Sequence, residues 1–101
     1  MTPTEKFIAI AGPKYDAGQL KHGGTLNQRD CLAEMEQEII DLWHYWQAHK
    51  LRGLLLAPDQ IRDASLARWH EISTHPAYCD INEGYILALW NRLQALNQTK
   101  P

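Results

Sequence analysis

The sequence has no surplus of charge of either sign: ten Lys and Arg stand against twelve Asp and Glu, a formal net charge of −2 over 101 residues. Such a chain has no global electrostatic reason to bind a nucleic-acid backbone, so general DNA or RNA binding is not expected. Cysteine is scarce as well. Cys31 and Cys79 are the only two and lie far apart, which excludes a disulfide-stapled scaffold and predicts two buried or partly buried thiols. No apolar run is long enough for a membrane span of about 20 residues. The opening MTPTEKFIAIAG holds one short apolar stretch, broken by Gly12-Pro13, and lacks a signal-peptide layout. These absences lead us to expect a cytoplasmic protein.

Other absences narrow the chemistry. There is no internal repeat or low-complexity tract, no Walker or dinucleotide glycine pattern, and no paired Cys-x-x-Cys or His-Glu-x-x-His zinc spacing. No Ser-His-Asp or reactive Cys-His set can be argued from spacing.

Gly and Pro breaks divide what is present into helical segments, within one expected domain spanning residues 1–101. Residues 4–11 form a short apolar segment whose only strand-like stretch is Phe7 to Ala11. After Gly12-Pro13, Lys14 to Lys21 suits two helical turns with Tyr15 and Leu20 facing inward, ended by His22-Gly23-Gly24. Asn27 suits the N-cap of a long helix from about Gln28 to Lys50, with Asp30 in its first turn. Met35, Ile39, Leu42, Trp43 and Trp46 gather on one broad side of that helix. A further helix is expected from about Asp59 to Ser73, with Ile61, Leu66, Trp69 and Ile72 inward, ended by Thr74-His75-Pro76. Asp80-Ile-Asn-Glu83 reads as a capping box in which Asp replaces Ser or Thr. It opens a last helix with Ile81, Tyr85, Leu89, Trp90, Leu93 and Leu96 on its apolar side. The fold class is therefore all-α: a small bundle of three main helices plus a short N-terminal helix. A chain this small leaves much surface exposed, so completion by homo-oligomerisation is expected.

Opposite the apolar side of the long helix stand Glu34, Glu38, Asp41 and Tyr45. Charged residues belong on a wet face, and three acids there require no function. Yet Glu34, Glu38 and Asp41 are followed at i+4 by Glu38, Leu42 and Tyr45, so no cation offsets the stripe, and each like-charge pair costs a few tenths of a kcal/mol. A hard divalent cation, Mg²⁺ or Mn²⁺, would turn that cost into a gain, because it takes carboxylate oxygens together with substrate phosphates. Both readings stay open on spacing alone. Trp43, Trp46, Trp69 and Trp90 are many indoles for this length. They suit a core or subunit interface, or stacking on a nucleobase.

The run Lys21-His22-Gly23-Gly24-Thr25-Leu26, followed by Glu36-Gln37-Glu38-Ile39-Ile40-Asp41-Leu42-Trp43-His44-Tyr45-Trp46, resembles small phage and bacterial MazG-like proteins, over roughly residues 12–50. Those are all-α nucleotide pyrophosphohydrolases, in which a Lys-Tyr-Gly-like turn precedes a helix carrying an acidic Glu-Glu-x-x-Asp-like run. The resemblance implies metal-dependent cleavage of a nucleoside triphosphate to monophosphate and pyrophosphate, in the host cytoplasm if the chain is phage-encoded. It implies Glu34, Glu38 and Asp41 as metal ligands, with Glu38 alternatively the general base. Lys14, Lys21 or His22 would contact phosphate, and Tyr15, Tyr45 or Trp43 would stack on the base. Gln37 stands where such relatives often carry Glu, and no second Glu-x-x-Glu helix is evident, although Asp63, Glu71 or Glu83 could add an acid. That pattern keeps open a non-catalytic protein that sequesters a nucleotide or nucleotide-derived signal, and, beyond it, a helical interaction module with no small-molecule ligand.

Overall fold

The computed structural model describes residues 1–24 and 30–98, which form four α-helices and no strand: α1 Pro3–His22, α2 Cys31–Lys50, α3 Pro58–Thr74 and α4 Ile81–Gln98. A 3₁₀ turn, Pro76–Tyr78, precedes α4. The chain separates into two compact units, Met1–Cys31 and Leu32–Pro101.

The first unit is built on α1, a single helix of 20 residues where the sequence suggests two pieces. Its start is fixed by a capping box: Thr2 Oγ1 accepts the Glu5 N–H at 3.1 Å, and Glu5 Oε1 accepts the Thr2 N–H at 3.2 Å. The helix then runs through Gly12-Pro13. A proline ring disfavours helical backbone at the preceding residue mainly by clashing with its Cβ and N–H. Gly12 has no Cβ, so the chain stays helical and forgoes only the hydrogen bond that residue 13 cannot donate. No residue of α1 is buried, and Tyr15 and Leu20, expected inward, are exposed. Gly23, at φ +67°, stops the helix by donating to Gln19 O at 2.8 Å. The left-handed region favours glycine there.

The second unit places α2, α3 and α4 around a core of Ile39, Trp43, Ile72, Ile86 and Leu93. The expected N-cap Asn27 lies outside the described residues. Asp30 stands directly before the first helical residue of α2, a position that favours Asp. The loop after α2 turns at Gly53, φ +89°. α3 starts at Pro58, a favoured first helical residue, with Gln60 Oε1 accepting the Ala57 N–H at 2.8 Å. Indoles tie the three helices together: Trp43 of α2 meets Trp69 of α3 edge to face at 4.9 Å, and Trp69 meets Trp90 of α4 at 6.0 Å. Trp43 also donates its Nε1–H to Ser65 O at 3.0 Å, in the middle of α3.

Not every expected core residue is inside. Ile39, Trp43, Ile72 and Leu93 are buried, whereas Met35, Leu42, Leu66, Ile81, Tyr85, Leu89 and Leu96 are exposed. A three-helix packing covers a narrower arc of each helix than its apolar residues span. Cys31 and Cys79 are both half-buried. Among the described residues no helix is long and apolar enough to cross a membrane.

Candidate functional site

Three features of the second unit carry chemistry: a buried carboxylate, a tryptophan-lined cleft and the acidic stripe. The first starts as a helix cap. Asp80 Oδ1 accepts the Glu83 N–H at 2.8 Å and Glu83 Oε1 accepts the Asp80 N–H at 3.0 Å, the capping box expected for α4. Glu83 is also fully buried, on the same side of α4 as Ile86 and Leu93. Arg68 of α3 grips it as a fork, Nε to Oε2 at 2.8 Å and Nη2 to Oε1 at 2.7 Å. From α2, Lys50 Nζ reaches Oε2 at 2.7 Å and Gln47 Nε2 reaches it at 2.8 Å. Lys50 further pairs with Asp80 at 3.0 Å, and Arg68 with Glu71 at 3.2 Å.

Burial by itself pushes the Glu83 carboxyl up. The hydrogen bonds from Arg68, Lys50, the Asp80 N–H and Gln47 outweigh it and hold the group well below the usual carboxylate range. Partial burial likewise opposes the charge of Lys50, but Glu83 and Asp80 raise its pKa. Arg68 is raised above its ordinary value chiefly by Glu83. A carboxylate whose two oxygens accept this many donors resists protonation and has no lone pair left for a metal or a substrate. Glu83 is a structural junction between three helices, and the acidic stripe cannot draw on it.

The cleft opens beside the indole chain. It holds about 240 Å³ and is lined by Ile39, Ile40, Trp43 and His44 of α2, Leu66 and Trp69 of α3, and Trp90 of α4. His44 is its one ionisable lining residue. A pocket for a drug-sized ligand takes roughly 300–1,000 Å³, so this cleft suits one flat ring system or a compact apolar group.

The stripe lies on the solvent side of α2: Glu34, Glu38, Asp41 and Tyr45 are all exposed. Among the described residues none of the three acids is paired with a cation. Their oxygens are of the kind Mg²⁺ takes, but among the described residues no three His, Cys, Asp or Glu side chains are grouped to hold a metal ion. Glu36, next to the stripe in sequence, turns inward and accepts from Gln94 Nε2 of α4 at 3.2 Å. Lys14, Tyr15, Lys21 and His22 stand on α1 in the first unit and are exposed. Thr25 and Leu26 lie outside the described residues.

Sequence reasoning did not find the Glu83 junction. The signal was present in periodicity: Gln47 and Lys50 fall on the apolar side of α2, Arg68 on that of α3 and Glu83 on that of α4. Polar residues on three inward faces must find one another. No protein-family model, curated protein or solved structure matches this chain.

Proposed function

We propose that this protein binds a nucleotide or nucleotide-derived signal without cleaving it, taking the flat base into the cleft of Trp43, Trp69 and Trp90. The observation that carries this reading is the cleft itself, an aromatic slot sized for one ring system, with a histidine at its edge. Base stacking on indole contributes about 1–3 kcal/mol per base and tolerates any base.

The helix projection supports an orientation. At about 100° per residue, Ile40, His44 and Asp41 follow one another around α2, leading from the cleft to the acidic stripe. Phosphates extended in that direction meet like charge, so this reading expects triphosphate binding to need Mg²⁺ or Mn²⁺ while the bare nucleoside binds without it. The MazG-like resemblance implies Tyr45 of this unit as a base contact, and, separately in the first unit, Lys14, Tyr15, Lys21 and His22 as phosphate or base contacts, each testable by alanine substitution.

A second reading, a MazG-like pyrophosphohydrolase, is favoured by the uncompensated charge of Glu34, Glu38 and Asp41. One experiment separates the two. The protein is incubated with a panel of nucleoside triphosphates and Mg²⁺ or Mn²⁺, with binding followed by tryptophan fluorescence and calorimetry and turnover by pyrophosphate release. Bound, intact nucleotide supports the binder. Pyrophosphate release that disappears in Glu38→Ala supports the hydrolase, and absence of both binding and cleavage removes both readings.

A further inference from the structure

α4 carries a second apolar face. Ile81 is 72% exposed, Tyr85 64%, Leu89 50% and Leu96 42%. At about 100° per residue these four fall, with the exposed Ala88 and Arg92, inside one arc of roughly 100°. The inward side of α4, centred on Ile86 and Leu93, faces elsewhere. At these fractions the four residues expose on the order of 500 Å², toward the upper end of the roughly 300–600 Å² of the largest patch on a monomer, which is often functional.

The order of residues along the stripe indicates what covers it. About a point between positions 88 and 89, the stripe is its own mirror: 81 pairs with 96, 85 with 92, and 88 with 89. If a second α4 is laid antiparallel across the first, Ile81 meets Leu96, Tyr85 meets Arg92, and Ala88 meets Leu89. Ile81 against Leu96 and Ala88 against Leu89 are then apolar on apolar. The single charge, Arg92, comes to lie against an aromatic ring, a favourable cation–π pairing that occurs twice by symmetry. Ala88, small and central, lets the two backbones approach to the 8–10 Å of ordinary helix packing. A stripe that is self-complementary about its midpoint is what an isologous two-fold contact requires. The core is also thin: Ile39, Trp43, Ile72, Ile86 and Leu93 are the only buried hydrophobic residues among those described. Small domains with a limited core commonly gain stability by association. A stable interface takes about 800 Å² per partner, of which the stripe supplies more than half before flanking atoms are counted.

We infer that the outer face of α4 is a homodimer interface in which two copies of this chain pair antiparallel about a two-fold axis between Ala88 and Leu89. The inference is independent of any ligand in the tryptophan cleft. It is tested on the full chain by sedimentation equilibrium and light scattering across a concentration series, with far-ultraviolet circular dichroism as the folding control. The wild type should have twice the chain mass. Leu89→Glu, which places a carboxylate beside the axis on each chain, should have the single-chain mass with unchanged helicity, because Leu89 lies outside the buried core. Arg92→Glu should weaken the dimer about tenfold, and adding Tyr85→Lys should recover most of that loss, since only the antiparallel register brings 85 opposite 92. A wild type that stays at single-chain mass to millimolar concentration overturns the inference. So does a Leu89→Glu variant that keeps the dimer mass, or a double variant no stronger than Arg92→Glu alone.

Discussion

Two cations meet Glu83 in the interior of the three-helix unit, and the value of each depends on whether anything can replace it. Arg68 supplies both forks of a bidentate pair to a fully buried carboxylate. Removing it strands a buried charge, and Arg68→Met should cost about 3–5 kcal/mol in urea denaturation. Lys50 is partly exposed and shares its task with Gln47, so Lys50→Met should cost distinctly less. The pH dependence follows from the signs. Glu83 is held below its ordinary value of 4.5, so the stability it contributes is present above that pH and is lost as pH falls below it. Lys50 is raised above 10.5, so its contribution is present below that pH and is lost as pH rises beyond it. Thermal unfolding followed across pH should show a plateau between those limits. Glu83→Gln should lower the plateau and flatten its acid side.

At the scale of elements, most helix positions were legible in the sequence, because apolar spacing and caps are local signals. The capping box at Asp80 and Glu83 formed as its residues dictate, and α3 begins at Pro58 within a residue of its expected start. α1 shows where local reasoning stops. Gly12-Pro13 resembles a break, but a glycine before proline relieves the clash that ordinarily ends a helix. Pro13→Ala restores an amide donor in an exposed helix, where proline costs up to about 3 kcal/mol against alanine. Helicity should rise, and amide exchange of residues near position 9 should slow. Thr2→Ala, which removes the cap, should act in the opposite direction by about 1 kcal/mol. The width of the buried faces was not legible. Leu42, Leu66 and Tyr85 carry the right period, but which apolar residues a neighbour covers depends on how many neighbours there are.

At the scale of the whole molecule, the all-α class was legible and the candidate site only in part. The acidic stripe is local to one helix and could be read from spacing. The tryptophan cleft takes residues from three helices, so its assembly depends on packing that no single segment encodes. The four tryptophans were visible, but not that three of them would share one wall while Trp46 would not. Trp90→Ala should therefore act twice, lowering stability by about 2–4 kcal/mol through lost packing and weakening nucleoside binding by tenfold or more. Leu66→Ala, at an exposed edge of the same cleft, should weaken binding with little loss of stability. The comparison of these two variants separates the cleft's work from the core's.

The hydrogen bond from Trp43 to the Ser65 carbonyl has a further use. It sets a single indole proton in the seam between α2 and α3, out of reach of solvent, so that proton can exchange for deuterium only when the seam parts. Its exchange rate, read from one resolved resonance, is a clock for the opening of that junction. A ligand bound in the cleft that Trp43 and Trp69 line should slow the clock, and loss of Arg68 should quicken it.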